Sequence, residues 1–315
     1  MTRLKDRHKA GVLSDRNGGV ALVLVIWIVV VLIAIVGEFS YSMRTEINIS
    51  RNFKEEEEAY QLAVAGIEEA KAEILTVKDP SKIYMDENGA LVLDPEAGEQ
   101  PERKSSLGKG SYQYVITDED GKLDLNTASV EQMRYIFLNT GVDIKDADVI
   151  VDSVMDWRDT DNLHMLNGAE DDYYEDLKRP YSSKDGPFDS GEELLLVKGM
   201  SPEIFFGSGG KGAKDGYEGA GKYFTVYGAG SINIRTAPLI VLEALAGPDA
   251  ARNIIEQRKT GALTGPAVGG KVLSEYFSIV STGYNGDGSI RRTVKTVVRK
   301  AANKLETVYW NDNAV

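Results

Sequence analysis

An uninterrupted apolar run near the N-terminus is followed by a segment in which apolar residues keep helical spacing. Val20–Val36 contains 17 consecutive apolar residues, about 25 Å of helix at ~1.5 Å per residue, which is the short end for a membrane span. Apolar side chains then recur every three or four positions as far as Ile74, and the first proline is Pro80. The pattern predicts one helix from about residue 20 to residue 76, apolar first and amphipathic afterwards.

Later segments alternate apolar and polar residues, which indicates strands. The predicted strands are Tyr112–Thr117, Tyr223–Tyr227, Glu275–Tyr284, Ser289–Arg299 and Lys304–Trp310. Between the first two lies a helical and strongly acidic stretch, with 22 acids against 8 bases over residues 112–203. The sequence therefore predicts an α+β protein: a long N-terminal helix packed on an antiparallel sheet, with a large inserted α-domain.

An internal repeat crosses the end of this stretch. "GKLDLNTASVEQM" at Gly121 matches "GSINIRTAPLIVL" at Gly230, and each copy continues into a second helix. Thr127 and Thr236 are suited to cap the first helix of each copy. This pattern predicts helix-hairpin-helix units, with a partial third copy at residues 198–205.

Helix-hairpin-helix units commonly bind nucleic acid through backbone amides at a glycine turn, so nucleic-acid binding is one alternative function. The residues argue against it. Asp143 and Asp249 place carboxylates at the turns, and Pro248 removes an amide. The net charge of −13 also opposes binding to a polyanion. We expect the hairpins to be structural, with no nucleic-acid partner.

The candidate chemistry is confined to oxygen ligands. There is no cysteine, and of two histidines only His164 lies outside the first 19 residues, so we expect no enzyme of the usual hydrolase types. Six acids fall within 17 residues: Asp156, Asp159, Asp161, Glu170, Asp171 and Asp172. Hard oxygen donors at this density suit Ca²⁺, although on composition alone a solvated acidic loop is the better explanation. Asp118, Asp120 and Asp124 are candidates for a further site, but the sequence "DEDG" at residues 118–121 is more simply explained as a turn.

The N-terminus resembles a type IV pilin-like signal. A basic leader ends in glycine, and the apolar helix follows at once. In that family the prepilin peptidase cuts before the apolar run, here between Gly19 and Val20, and the fifth residue of the mature chain is usually Glu. Here it is Leu24, a departure that is typical of minor pseudopilin K of type II secretion systems. "ITDEDGKLDLNTASVEQM", "MDWRDTDN", "GAEDDYY" and "INIRTAPLIVLEALAG" are similar to motifs of the same family.

This resemblance implies a role in assembly rather than catalysis. Family members are anchored in the inner membrane by a single helix, with a periplasmic globular part at the tip of a fibre, the pseudopilus. Implied partners are minor pseudopilins I and J, the prepilin peptidase, the inner-membrane assembly platform and membrane lipid, and calcium is the implied cofactor. A membrane-tethered periplasmic binding module of unrelated role is a further alternative.

The expected division of the chain follows from the pattern and the resemblance together. It comprises a leader (1–19), a transmembrane segment (20–37), an amphipathic continuation (38–78), a first scaffold part (79–118), an acidic α-domain (119–221) and a second scaffold part (222–315).

Overall fold

The computed structural model describes residues 17–86, 89–95, 102–208, 216–228, 230–263, 265 and 269–314. The chain divides into two compact units, residues 1–57 and residues 58–315. Most of the predicted leader, residues 1–16, and part of the glycine-rich segment, residues 209–215, lie outside the described residues.

Helix α1 spans Asn17–Thr76, which confirms the single long helix expected from the apolar and amphipathic patterns. Within the first unit, the side chains of Val20–Val36 are all exposed. The most apolar window of this helix has a mean hydropathy of 3.4. Among the described residues it is the one helix long and apolar enough to cross a membrane.

The second unit contains a five-stranded antiparallel sheet in the order β3-β4-β7-β8-β9. Its strands are β3 (Lys104–Leu107), β4 (Gly110–Asp118), β7 (Tyr276–Tyr284), β8 (Arg291–Ala301) and β9 (Lys304–Asn311). The strands predicted around residues 112–117, 275–284, 289–299 and 304–310 are therefore confirmed. A separate small hairpin pairs β1 (Tyr84–Met85) with β2 (Leu91–Val92).

The C-terminal part of α1 packs against one face of this sheet. Ala63, Ile67 and Ile74 lie at helical spacing and are completely buried, in one core with residues of β4, β7 and β8. The sheet comes unusually close to the helix at Gly283, where a Cβ atom would overlap the backbone of Ala59 and Ala63. The amphipathic pattern is thus explained by burial against the sheet.

The chain between β4 and β7 forms a helical insert with its own core. Its elements are β5 (Leu123–Asp124), α2 (Val130–Asn139), α3 (Ile144–Arg158), α4 (Asp171–Glu175), α5 (Pro202–Phe206), β6 (Phe224–Thr225), α6 (Leu239–Ala246) and α7 (Pro248–Lys259).

The helical core extends past residue 221, where the sequence placed the end of the α-domain. Ile234, Leu242 and Ile254 belong to the same core as the first helices. The strand expected at residues 223–227 is reduced to β6, which pairs in parallel with β5 rather than joining the large sheet. Both differences follow from the internal repeat, because the two copies pack together as one helical body.

The two copies of the repeat make equivalent contacts. Asp124 accepts a hydrogen bond from the amide of Asn126, and Asn233 accepts one from the amide of Arg235. At the end of the second helix, the Arg158 guanidinium donates to the carbonyls of Leu125 and Ala128. In the second copy the Arg258 guanidinium donates to the equivalent carbonyls, those of Ile234 and Ala237. Each hairpin is therefore closed by the same arginine clamp.

The helix caps differ from those expected. Ser129, not Thr127, caps α2, in a reciprocal capping box with Gln132. Pro238, not Thr236, precedes α6. The Thr236 hydroxyl instead donates to the Asp118 carboxylate, so its role is to tie the second hairpin to the end of β4.

The acidic sequence after β4 is a buried turn, as the sequence indicated. Asp118 accepts hydrogen bonds from the Thr236 and Ser274 hydroxyls. Asp120 pairs with Lys271 at 2.5 Å and accepts the backbone N–H groups of Glu275 and Tyr276. These carboxylates therefore connect the sheet to both ends of the helical insert.

Candidate functional site

The acidic segment folds back on the end of α3. Asp156, in the last turn of that helix, is completely buried. Its carboxylate accepts a hydrogen bond from the amide of Met165 at 3.0 Å, in the loop that follows. Gly168 packs directly on this carboxylate, because any Cβ there would overlap it. Burial raises the pKa of Asp156, although the amides of Met165 and Ala169 act in the opposite direction.

Glu170 is the most unusual side chain of the segment. It is only 2% exposed, and neither carboxylate oxygen has a hydrogen-bond partner among the described residues. Burial, and then the negative charges of Asp156, Asp159 and Asp185, raises the pKa of Glu170 to about 7. A buried carboxylate without a partner is costly, so it is either protonated or neutralised by a cation.

The other predicted ligands have separate partners. Asp161 accepts the amide of Leu163 at 2.9 Å. Asp171 accepts the amide and hydroxyl of Ser183 at 2.8 and 2.9 Å. Asp172 is largely exposed and lies 3.2 Å from the Nε2 atom of His164. The structure thus groups Asp156, Asp159 and Glu170, and directs the other three elsewhere.

Asp185 joins the group without having been predicted. It follows Pro180 in the sequence, and its negative charge contributes to the raised pKa of Glu170. Its carboxylate is 2.7 Å from the Ser183 hydroxyl, which also contacts Asp171. Its backbone has φ +50°, a conformation that aspartate tolerates better than most residues. The Asp-Gly pair at residues 185–186 is the one sequence signal that could have drawn attention to it.

The donor set fits a hard cation by its chemistry. The grouped side chains are all carboxylates, the ligand type that Ca²⁺ prefers, and Glu170 has two unsatisfied oxygens. Among the described residues, however, no three Asp, Glu or His side chains stand close enough together to hold an ion as they are. Asp156, Asp159, Glu170 and Asp185 are the residues that would hold one, with main-chain oxygens or water completing the shell.

The turns of the two hairpins offer little to a phosphate backbone. The Asp143 carboxylate accepts the amide of Lys145 at 3.0 Å, which occupies an N–H group at the start of α3. In the second hairpin Pro248 is the first residue of α7 and has no N–H group. The two helix pairs pack together in one core.

Comparisons with known proteins agree on one family. A family model described as "Type II secretion system (T2SS), protein K" matches residues 114–206. The type II secretion system protein K of Aeromonas hydrophila is 26% identical over 204 residues, 60% of this chain and 61% of that protein. A putative protein K of Escherichia coli K12 is 21% identical over 207 residues, 61% of each. The match thus spans about three fifths of these curated relatives.

The fold is similar to that of a solved structure. A chain in the GspK-GspI-GspJ complex of the type 2 secretion system from enterotoxigenic Escherichia coli aligns with a TM-score of 0.57 and 18% identity. The alignment covers 84% of this chain and 99% of that one. At this identity the match is a likeness of fold.

Proposed function

We propose that this chain is a minor pseudopilin of the type II secretion system protein K family and that it ends the periplasmic pseudopilus. In this role it promotes assembly of the fibre and hence protein export, and it performs no catalysis. The observation that carries the proposal is α1, whose first half is apolar and exposed and whose second half is buried on a sheet. That combination suits a subunit held in the inner membrane before it joins a fibre.

The apolar half of α1 also supports a position at the end of the fibre. There is no acid in this helix before Glu38, and Leu24 occupies the position at which pilin-like proteins usually carry Glu. Inside a bundle of apolar helices, an N-terminal amine is stabilised by a carboxylate from its neighbour, since an unpaired charge there is expensive. Leu24 cannot supply that carboxylate to a subunit stacked above it.

The helical insert supports the same position. The insert between β4 and β7 is longer than all five strands of the large sheet together. Such an insert would obstruct the stacking of identical copies, whereas at a fibre end no copy needs to stack above it. We therefore propose minor pseudopilins I and J as partners, with the prepilin peptidase and the inner-membrane assembly platform acting earlier.

Assembly of purified proteins tests this proposal. A fragment comprising residues 45–315, mixed with the periplasmic parts of pseudopilins I and J, should elute as a complex with one copy of each. Alone, the fragment should remain unpolymerised. Gold labels on the full-length protein should mark fibre ends. Labels at regular intervals along the shaft would contradict the terminal position.

We further propose that the segment around Glu170 binds Ca²⁺ and is stabilised by it. A cation would neutralise the buried Glu170 carboxylate and offset its repulsion from Asp156, Asp159 and Asp185. A ligand that binds only the folded protein raises stability by RT ln(1 + [L]/Kd), about 2.7 kcal/mol at one hundred times Kd.

Thermal unfolding with calcium and with chelator tests this second proposal. The wild-type protein should unfold at a higher temperature with calcium. Glu170→Gln together with Asp159→Asn should abolish the difference. Asp172→Asn, at an exposed position, should preserve it. A melting curve that is the same with calcium and chelator would show that the segment is only an acidic surface.

A further inference from the structure

The second hairpin lines a cavity that the assembly role does not use. Its volume is about 980 Å³, at the upper end of the range for small-molecule sites. Four lining residues are cationic, namely Lys82, Arg235, Arg258 and Lys259. Leu239, Ile255 and Leu263 add apolar surface. A pocket with this many cations is unexpected in a chain whose net charge is −13.

In the first hairpin, the arginine that closes the helix pair has acidic residues near it. Burial lowers the pKa of Arg158, while the negative charges of Asp124 and Asp159 act in the opposite direction and favour its charged form. The position equivalent to Asp124 in the second hairpin is Asn233, and the residue that follows Arg258, as Asp159 follows Arg158, is Lys259. Arg258 therefore makes the same two carbonyl contacts as Arg158 but lacks both carboxylates.

The position two residues after Asp124 and Asn233 also differs in charge, because a neutral side chain in the first hairpin is replaced by a cationic one in the second. In the first hairpin the side chain of Asn126 forms two hydrogen bonds with the backbone of Phe188, which closes the space beside the clamp. The equivalent residue is Arg235, which donates to the Leu263 carbonyl and whose Nε atom is buried without a partner. Two guanidinium groups thus lie near each other, and neither forms an ion pair with a described residue. Burial, and then the charge of Arg235, lowers the pKa of Arg258 to about 10.

Other carboxylates of this region are already engaged. Asp86 lines the cavity, and its carboxylate accepts the amide of Ala90 at 2.8 Å. Lys259 also has an acid nearby, with Glu256 at 3.9 Å on the same helix. Asp79 is a carboxylate whose charge acts on Arg235, and it already accepts the amide and the hydroxyl of Ser81. The guanidinium groups of Arg235 and Arg258 thus form no ion pair with a described residue.

We propose that this cavity binds a carboxylate presented by a polypeptide next to apolar side chains. The guanidinium pair supplies planar donors that match a carboxylate. The cavity also has apolar surface from Leu239, Ile255 and Leu263, with which a hydrated inorganic anion would make no favourable contact. The volume accommodates a few residues, so the ligand is the free C-terminus of a polypeptide with apolar neighbours. This site would act whether or not the protein ends a fibre.

Peptide binding to the full-length chain in non-ionic detergent tests the inference. The probe is an N-terminally labelled Ala-Leu-Leu peptide with a free terminal carboxylate, followed by fluorescence anisotropy. The same peptide with a C-terminal amide should bind at least tenfold more weakly, because one charged contact of about 1.4 kcal/mol is worth a factor of ten. Inorganic phosphate should compete poorly, because it gains nothing from the apolar surface.

The comparison of the two hairpins indicates which residue to substitute and which to use as a control. Lys259→Asp places beside Arg258 the acid that follows Arg158 in the first hairpin, at a position where the side chain is 45% exposed. It should reduce peptide binding at least tenfold without unfolding the protein. Arg252→Asp, on the same helix but outside the cavity, makes the same change in net charge at a side chain that is 69% exposed. It should leave binding within twofold of the wild type.

Three outcomes would overturn the inference. Equal losses in the Lys259→Asp and Arg252→Asp variants would show that only net charge matters. Equal binding of acid and amide peptides would remove the carboxylate from the interaction. Competition by phosphate as strong as by the unlabelled peptide would reduce the cavity to a site for any small anion.

Discussion

At the residue scale, the buried carboxylate of Glu170 makes the stability of the protein depend on pH. Its pKa is raised to about 7, first by burial and then by neighbouring acids. The folded protein therefore holds a proton on Glu170 at pH values at which the unfolded chain has released it. Without a cation, the free energy of unfolding should fall as pH rises from about 4.5, the ordinary glutamate value, to about 7.

Glu170→Gln should remove this part of the pH dependence. In chelator, the wild type should lose stability between pH 5.5 and pH 7.5, and the variant should lose less, because glutamine carries no charge to bury. Thermal unfolding at both pH values measures the difference. The raised pKa of Asp118 contributes in the same range but is present in both proteins, so it cancels from the comparison.

An exposed glutamate on the neighbouring helix supplies the control. Glu175 is exposed, at the end of α4, and Glu175→Gln should reproduce the wild-type pH dependence. If Glu170→Gln does so as well, the Glu170 carboxylate is not protonated in the folded protein.

The sequence predicted the composition of the candidate site but not its geometry. Asp156, Asp159 and Glu170 are brought together, while Asp161 and Asp171 are occupied by hydrogen bonds to nearby residues. Local spacing cannot distinguish these cases, since a loop decides which carboxylates turn inward. Asp185 was missed because it joins the others only through the fold of residues 171–185.

At the scale of elements, the contact between α1 and the sheet depends on small residues. Gly283 of β7 lies against the backbone of Ala59 and Ala63, and Gly66 of α1 packs on Tyr112 and Ser281. A helix can approach a sheet this closely only where side chains are absent. Gly283→Ala should therefore lower the free energy of unfolding by about 1–3 kcal/mol, the usual cost of overpacking. Chemical denaturation of residues 45–315 measures it.

Gly191→Ala is the matched control for this substitution. A Cβ at Gly191 has no atom within 4 Å, so stability should change by less than about 0.5 kcal/mol, as for surface substitutions in general. Equal effects of the two substitutions would mean that the helix does not pack closely on the sheet at Gly283.

Element prediction succeeded where side chains alternate and failed where they do not. The core strands β4, β7 and β8 bury alternate apolar residues, and their sequences show this pattern. Strand β3 has the polar sequence Lys-Ser-Ser-Leu and lies at the sheet edge, so nothing in it indicated a strand. The strand predicted at residues 223–227 was assigned to the scaffold, whereas β6 pairs with β5 of the helical insert, because two residues cannot specify a partner.

At the scale of the whole molecule, a helical body built from a duplicated hairpin is inserted into a helix-and-sheet scaffold. The duplication was visible in the sequence, but the packing of both copies into one core was not. The reason is physical: the contacts that join them, such as the hydrogen bond from Tyr135 to Glu243, link residues more than one hundred positions apart. Such pairings are invisible to local patterns, whereas the helix-forming periodicity of α1 is local and was predicted correctly.

Processing of the N-terminus is the whole-molecule prediction that most directly tests the pilin-like interpretation. A cut between Gly19 and Val20 would remove the basic leader and keep the apolar helix, so the protein should remain membrane-bound with Val20 as its first residue. N-terminal sequencing of membrane-extracted protein measures this. Gly19→Ile should block the cut, and Gly37→Ala should not. Neither glycine has an atom within 4 Å of its would-be Cβ, so both variants should keep the helix. A first residue beyond Gly37, or Met1 in cells with active peptidase, would contradict the interpretation.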